Sequence, residues 1–200
     1  MKVEAVILAA GTSSRMPEWK MALPLGPKRV IEWTVSAFLE VAQRVLVVGG
    51  YRFEELRQLL ASYPVELVYN RAYREGGMFS SVKTGLQHVG SKTHWVFLHP
   101  ADHPLVQVKT LHLLLQSRGV LVVPTYRGRK GHPLLIRGAL VPEILAWPDT
   151  ETLRTFVRSR PMTLVETADP GVVLDLDEPQ DLATLEALLK RTSPGKGRAV

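Results

Sequence analysis

Cysteine is absent from the 200-residue sequence, which excludes disulfide bonds and thiolate metal sites. Long apolar runs are also missing, because no stretch approaches the roughly 20 residues that a membrane-spanning helix needs. The N-terminus does not have the pattern of a secretory signal, since the apolar run over residues 5–10 is too short for the hydrophobic region of such a peptide. We therefore expect a cytoplasmic protein with no membrane partner.

Positive charge is in modest excess, with a formal net charge of +6 and a pI of about 9.7. Lysine and arginine are spread along the chain and are concentrated only at residues 127–130 and 190–198. The alternation of aromatic and basic residues expected of a nucleic-acid surface is missing. A nucleotide- or nucleic-acid-binding protein is the non-enzymatic alternative, but we favour small anionic substrates and no nucleic-acid partner.

Short apolar runs alternate with helical patterns along the chain. The candidate strands are residues 3–9, 44–48, 65–69, 95–98 and 120–123. Helical spacing is marked by Ile31, Val35, Phe38 and Ala42, by Leu56, Leu59 and Leu60, by Leu111, Leu114 and Leu115, and by Leu182, Leu185, Leu188 and Leu189. Continuous apolar strands are typical of a sheet buried on both faces. The alternation predicts an α/β three-layer sandwich with a mostly parallel sheet.

Residues 126–137 interrupt this alternation. Two short segments flank a basic, glycine-containing turn there, which predicts a hairpin inserted in the α/β frame. Since there is no internal repeat and no long linker, we expect a single domain over residues 1–191. Residues 192–200 are polar, basic and rich in Gly and Pro, which predicts a disordered tail.

The segment that follows the first predicted strand has the composition of a phosphate-binding loop. Open α/β sheets bind ligands at the carboxyl ends of their strands, where small residues let the backbone approach a ligand and donate to phosphate oxygens. The predicted nucleotide-binding residues here are Leu8, at the end of the strand, and the small residues Ala9, Ala10, Gly11, Thr12 and Ser13. Arg15 and Lys20 add two positive charges. The loop matches neither the Walker nor the dinucleotide fingerprint, so an ordinary surface turn is the alternative to a triphosphate site.

The pattern L-A-A-G-x-S-x-R-M-x-x-x-K over residues 8–20 resembles the signature of the MobA-like nucleotidyltransferases. That family transfers a nucleotide from a nucleoside triphosphate to the terminal phosphate of molybdopterin or a related acceptor. Ala10 is similar to the molybdenum cofactor cytidylyltransferase branch, whereas the guanylyltransferase branch more often has Gly there. Pro17 departs from the Gly that usually follows Arg-Met. The resemblance implies a Rossmann-like, GT-A-type nucleotidyltransferase fold.

Asp102 follows the predicted strand over residues 95–98. The segment resembles the family's G-D-x-P-L strand end, which implies that Asp102 is a Mg²⁺ ligand. A carboxylate holds Mg²⁺ well, and the metal offsets charge that develops during an in-line displacement. Two residues depart from the family pattern: Ala101 replaces Gly, and His103 stands where Met or Gln is frequent. The alternative for Asp102 is an Asx-type turn before Pro104.

A second acidic segment, residues 174–182, resembles the family's D-I-D-T-P-E-D sequence, which supplies the partner metal or phosphate ligand. In a strand, Asp175 and Asp177 would face the same side, and we rank Asp177 as the ligand. The alternative is that Asp177 caps the last helix, with Gln180 completing a capping box.

Two further blocks have counterparts in the family. Asn70 and residues 76–86 resemble its N…G-M-x-x-S-L/V-x-x-G-L block, which implies that Gly77 and Ser81 lie near the nucleobase; the alternative is that Ser80 is only a helix N-cap. Gly131-His132-Pro133 resembles a G-H-P element on the acceptor side. This implies that His132, with Arg129, contacts the acceptor phosphate.

Taken together, these motifs predict a Mg²⁺-dependent enzyme that moves CMP from CTP to a phosphate-bearing acceptor, molybdopterin or the molybdenum cofactor, and releases pyrophosphate. Arg15, Lys20 and Asp102 are the predicted catalytic residues. A guanylyltransferase that uses GTP and a sugar- or polyol-phosphate nucleotidyltransferase are the alternative enzymes. Mn²⁺ is an alternative metal, because it also accepts oxygen ligands.

Overall fold

The computed structural model describes residues 1–192, in which helices cover both faces of a central β-sheet. The strands are β1 (Val3–Ala9), β2 (Pro24–Leu25), β3 (Lys28–Arg29), β4 (Arg44–Gly49), β5 (Glu66–Tyr69), β6 (Trp95–Pro100), β7 (Leu121–Tyr126), β8 (Arg129–Lys130), β9 (Leu134–Arg137) and β10 (Thr163–Glu166). The α-helices are α1 (Val30–Leu39), α2 (Phe53–Leu59), α3 (Gly77–Leu86), α4 (Val108–Leu115), α5 (Val141–Ala146), α6 (Leu153–Arg158) and α7 (Pro179–Thr192). Within this part of the chain, every helix is too short or too polar to cross a membrane.

The central sheet has the strand order β10-β7-β9-β6-β1-β4-β5, with β8 paired to β7. Strand β1 lies between β4 and β6 and is parallel to both, and β5 is parallel to β4. Strand β9 runs antiparallel to its neighbours β6 and β7. The sheet is therefore mixed but mostly parallel, which confirms the predicted α/β architecture.

Strand β1 is buried because it packs against a core on each face of the sheet. Ala5 and Ile7 belong to the same apolar cluster as Phe38 of α1, whereas Val6 belongs to the cluster that contains Val82 of α3. Successive side chains of a strand point to opposite faces, so an unbroken apolar run supplies both cores. This central position fixes the carboxyl end of β1, where the loop over residues 10–19 begins.

The predicted hairpin is present. Strands β7 and β8 are joined by a two-residue turn at Arg127 and Gly128, both with positive φ, 50° and 75°. Such a turn matches the twist of a two-stranded hairpin. The second predicted segment, β9, also pairs antiparallel with β7, and because its other neighbour is β6 it is a strand of the main sheet.

Helix α7 is the last described element. It packs through its buried residues Leu185 and Leu188 and ends at Thr192, whose hydroxyl donates to the Leu188 carbonyl at 3.1 Å. The tail predicted for residues 192–200 therefore lies outside the described residues except for Thr192.

Candidate active site

The carboxyl ends of the parallel strands meet at one edge of the sheet, around a cleft of about 570 Å³. The loop after β1 and the residues that follow β4 and β6 contribute to this cleft, as expected for an open α/β sheet. The predicted nucleotide-binding residues that line it are Leu8, Ala9, Ala10, Gly11, Thr12, Ser13, Lys20, Gly77, Ser81 and Asp102. The structure thus brings together residues separated by more than 90 positions.

Other lining residues were missed in the sequence, namely Met21, Tyr51, Tyr73, Arg74, Met78 and Pro100. Tyr73 packs against Gly50, where an added Cβ would lie 2.5 Å from the Tyr73 Cβ and 3.1 Å from the Ala10 Cβ. The Arg74 guanidinium lies 5.5 Å from the Tyr73 ring. Tyr73 and Arg74 could have been identified in the sequence from their position, because both lie between Asn70 and the Gly-rich start of α3.

The loop over residues 10–19 is held at several points. Tyr51 donates its backbone N–H to the Ala10 carbonyl at 3.3 Å, and Ser13, with a φ of 57°, closes a turn in which its carbonyl accepts from the Met16 N–H at 2.9 Å. Trp19 is buried in the core and anchors the end of the loop. Pro17 directly follows this turn and is exposed.

Lys20 connects this loop to both acidic segments. Its backbone N–H donates to the Ser13 hydroxyl at 3.2 Å. Its side chain is only 9% exposed, and its ammonium lies 2.7 Å from Asp177 Oδ1 and 3.6 Å from Asp102 Oδ2. Arg15 is far more exposed and contacts the other oxygen of Asp177. Two cations and two carboxylates, all predicted from sequence, therefore form one cluster at the edge of the cleft.

Backbone contacts hold the two acids side by side. The Leu176 N–H donates to the Asp102 carbonyl at 2.9 Å, and the Thr34 hydroxyl donates to the adjacent Ala101 carbonyl at 3.0 Å. Residues 174–177 form no strand, so Asp175 and Asp177 are not related by strand alternation; the segment bonds instead to the turn at Asp102. Asp175 is exposed, whereas Asp177 is partly buried.

The alternative role for Asp177, as the cap of the last helix, was wrong. The carboxylate of Asp181 accepts the backbone N–H groups of Asp177 and Glu178 at 2.9 and 2.7 Å, so Asp181 satisfies the start of α7. The Asp177 carboxylate is left to contact Lys20 and Arg15.

A hydrogen bond controls the ionisation of Asp102. Burial by itself would raise the pKa of this carboxyl group, but the hydrogen bond from His103, at 3.2 Å, and the charge of Lys20 hold the pKa below its ordinary value. Asp102 is therefore ionised at neutral pH and available to a cation.

His103 belongs to a cluster of three imidazoles behind Asp102. The ring centroids of His103 and His132 are 4.7 Å apart, and His99 lies 6.0 and 6.4 Å from these two rings. Burial and the neighbouring His103 lower the pKa of His132 to about 4, and burial also holds the pKa of His99 well below its usual range. Both side chains are therefore neutral at neutral pH.

The two predicted acceptor residues lie in different surroundings. His132 packs beside His103, and its backbone N–H donates to the Val172 carbonyl at 2.7 Å. Arg129 is exposed on β8, and among residues 1–192 no hydrogen bond or ion pair links its side chain to the histidine cluster. The acceptor role of both residues stays a prediction.

Asn70 lies behind the cleft and supports it. Its amide donates to the hydroxyls of Ser80 and Ser81 at 2.8 and 3.0 Å, and its carbonyl accepts the Ala72 N–H at 3.0 Å. Helix α3 begins at Gly77, whose φ of 59° favours glycine. Ser80 lies inside the first turn and donates to the Gly77 carbonyl, so its assignment as an N-cap was wrong.

The donor set at this edge fits a metal that is shared with phosphate. Within residues 1–192, no group of three or more His, Asp or Glu side chains is arranged so that it could hold a metal ion by itself. Asp102 and Asp177, however, flank a single cation, the Lys20 ammonium. Mg²⁺ is usually held by one or two carboxylates together with substrate phosphates and water, so two carboxylates are sufficient.

Comparison with known proteins identifies similar sequences and structures. Residues 5–193 match the model of the MobA-like NTP transferase domain. The chain is 28% identical to the molybdenum cofactor cytidylyltransferase of Escherichia coli over 185 residues, covering 91% of this chain and 94% of that protein. It is also 28% identical to a probable molybdenum cofactor guanylyltransferase of Bacillus mycoides over 145 residues, covering 67% and 66%. A nucleotidyl transferase structure from Methanothermobacter thermautotroptrophicus superposes with a TM-score of 0.83 at 24% identity, covering 96% and 99%.

Proposed function

Because the chain belongs to the MobA-like NTP transferase family and is a nucleotidyltransferase, we propose that it transfers CMP from CTP to the terminal phosphate of molybdopterin or the molybdenum cofactor. The observation that carries the proposal is the contact of Lys20 with both Asp102 and Asp177 at the edge of the cleft. A nucleotidyl transfer needs positive charge and a carboxylate pair around one triphosphate, and this cluster supplies both.

In the proposed reaction, a phosphate oxygen of the acceptor attacks the α-phosphorus of CTP. The new bond joins that oxygen to the α-phosphorus, and the bond from the α-phosphorus to the bridging oxygen breaks, so pyrophosphate leaves with the electron pair. The attacking oxygen is already an anion, so no strong general base is required. Catalysis then depends on positioning and charge neutralisation.

Each member of the cluster has a separate role in this proposal. The loop amides and hydroxyls over residues 8–13 cradle the triphosphate. Lys20 neutralises the α-phosphate, and Arg15 holds the β- and γ-phosphates and stabilises the leaving pyrophosphate. Both side chains contact Asp177, so a bound triphosphate would compete with that carboxylate for them.

Asp102 and Asp177 would hold the divalent metal, Mg²⁺ or Mn²⁺. When bound, the metal would offset the negative charge of the triphosphate and of the leaving pyrophosphate. The ionised state of Asp102 suits this role, because its pKa is held low before any metal arrives.

The nucleobase and the acceptor occupy opposite parts of the site in this proposal. Gly77 and Ser81, which line the cleft, would contact the base, with Ser81 held by Asn70. His132, which packs beside His103, and the exposed Arg129 would contact the acceptor.

Cytidine is favoured over guanosine by two observations. Ala10 is typical of the cytidylyltransferase branch, and the similarity to the Escherichia coli cytidylyltransferase extends over 91% of the chain. GTP is the second candidate, because the similarity to the Bacillus mycoides protein covers 67% of the chain.

The experiment is a pyrophosphate-release assay with each of the four nucleoside triphosphates, Mg²⁺, and molybdopterin present or absent. Release with CTP that depends on molybdopterin supports the proposal, and release with GTP favours the second candidate. A protein that releases no pyrophosphate with molybdopterin or with sugar and polyol phosphates, yet binds DNA tightly, would contradict the enzymatic proposal.

A further inference from the structure

The two oxygens of the Asp102 carboxylate face different partners. Oδ1 lies 3.2 Å from His103 Nδ1, whereas Oδ2 lies 3.6 Å from the Lys20 ammonium. The His103 ring is therefore on the protein side of the carboxylate and the cleft is on the other. One oxygen is bonded to an imidazole, and the second faces the cation cluster.

The direction of these hydrogen bonds follows from their partners. A carboxylate and a carbonyl can only accept, so His103 Nδ1 carries the proton that is shared with Asp102. By the same argument His99 Nε2 donates to the His103 carbonyl, at 2.9 Å. His99 therefore holds the backbone of His103, and the His103 side chain holds Asp102.

The surroundings leave His103 little freedom. It is 9% exposed, its backbone N–H donates to the Pro100 carbonyl at 3.3 Å, and its ring lies edge-on against His132 at a centroid separation of 4.7 Å. The backbone of Asp102 is tied separately, through the Leu176 amide. The remaining freedom of Asp102 is rotation of its side chain, and the bond to His103 restricts that rotation.

We propose that His103 is a positioning residue that fixes the Asp102 carboxylate, so that Oδ2 is presented to the divalent metal. This inference rests on the proposed function and assigns a role to a residue that departs from the Met or Gln frequent in similar sequences. Hydrogen-bond partners behind a metal ligand typically change metal affinity 10- to 100-fold, so the contribution of His103 is measurable.

The test compares two variants of the full chain. His103→Asn keeps an N–H donor near the position of Nδ1, whereas His103→Met removes the donor and fills the space with an apolar side chain. Mn²⁺ binding is titrated by electron paramagnetic resonance in the presence of CTP and without acceptor, so no turnover is involved. Thermal melting of each variant reports whether the fold is retained.

We expect the Met variant to bind Mn²⁺ about tenfold more weakly than the wild type, and the Asn variant to stay within about threefold. Equal Mn²⁺ affinity in the Met variant and the wild type would overturn the inference while leaving the proposed function intact. Equal weakening in both variants would also overturn it, because the donor would then not matter. A wild-type protein that binds no Mn²⁺ with CTP or GTP would overturn the proposed function and this inference together.

Discussion

The ammonium of Lys20 lies 2.7 Å from Oδ1 of Asp177, although the two residues are 157 positions apart in the chain. The contact joins the first loop of the domain to its last acidic segment. Asp102 lies on the other side of the same ammonium, 3.6 Å away. Three distant segments of the chain thus form one charge cluster at the carboxyl ends of β1 and β6. Substitutions in this cluster should change turnover and metal dependence.

Replacing Lys20 by alanine should depress turnover more than nucleotide affinity. In the proposed reaction the ammonium would stabilise charge that develops on the α-phosphate, so we expect kcat to fall by about 10²-fold or more, while the CTP dissociation constant changes only a few-fold. Steady-state kinetics and equilibrium binding of CTP measure the two quantities. Lys109→Ala, at an exposed position on α4, is the control and should leave both unchanged. Intact turnover in Lys20→Ala would show that the assigned role is wrong.

Asp177 and Asp175 provide a matched pair of substitutions. Asp177→Asn removes a carboxylate that contacts Lys20 and Arg15, whereas Asp175→Asn removes an exposed carboxylate two positions away. We expect the Mg²⁺ concentration for half-maximal activity to rise at least tenfold in Asp177→Asn and to stay unchanged in Asp175→Asn. The reverse pattern would assign the ligand to Asp175.

The Gly50→Ala substitution should weaken nucleotide binding, although Gly50 is not itself one of the residues that line the cleft. The new Cβ would lie 2.5 Å from the Tyr73 Cβ and 3.1 Å from the Ala10 Cβ, so Tyr73 or the β1 loop must move. Overpacking of this kind typically costs about 1–3 kcal/mol of stability, and here both neighbours line the cleft. We expect calorimetric titration to show about tenfold weaker CTP binding.

Gly90→Ala is the control for that substitution. Its Cβ would also be crowded, 2.7 Å from Lys2 Nζ and 3.0 Å from Glu4 Oε1. These residues lie near the amino end of β1, away from the cleft. Comparable CTP affinity in the two variants would mean that Gly50 does not shape the cleft.

Much of this arrangement followed from local sequence patterns. The five strands with continuous apolar runs were located to within about three residues, because burial on both faces removes polar residues from the sequence. Strand β10 was missed, because its exposed Leu164 and Glu166 lack such a run. The place of β9 was also missed, since pairing with both β6 and β7 depends on contacts that no short segment encodes.

At the site, individual residues were easier to predict than the hydrogen bonds between them. Asp102 and Lys20 were identified from the strand ends and from the family pattern. The bond from His103 to Asp102 was not, since an isolated His beside an Asp gives no information on ring orientation. The irregular backbone before Asp177 was not predicted either, because it depends on the bond from the Leu176 N–H to the Asp102 carbonyl, a contact between segments 74 positions apart.

The stability of the fold at low pH should depend on Glu4, which lies near the amino end of β1, away from the cleft. Burial would raise the pKa of this carboxyl group, but its contacts with Lys2, Thr93, Gly90 and Arg44 lower it from the ordinary 4.5. A lowered folded-state pKa means that the stabilisation is present above the unfolded pKa and is lost as pH falls through the folded value. Glu4→Gln should therefore lower the free energy of unfolding at pH 7 by about 1–3 kcal/mol, with a smaller difference in acid.

Urea unfolding at several pH values measures this effect. Glu186→Gln, at an exposed position on α7, should have the pH dependence of the wild type. A Glu4→Gln difference that stays constant from pH 7 to pH 3 would contradict the assigned ionisation.

The position of the phosphate label after reaction with molybdopterin tests nucleotidyl transfer most directly. With CTP labelled at the α-phosphate, we expect the label on the acceptor, and with CTP labelled at the γ-phosphate, we expect it in released pyrophosphate. GTP in the same reaction should transfer far less label. Transfer of the γ-label to the acceptor, or transfer of the α-label from GTP but not from CTP, would contradict the proposed cytidylyl transfer.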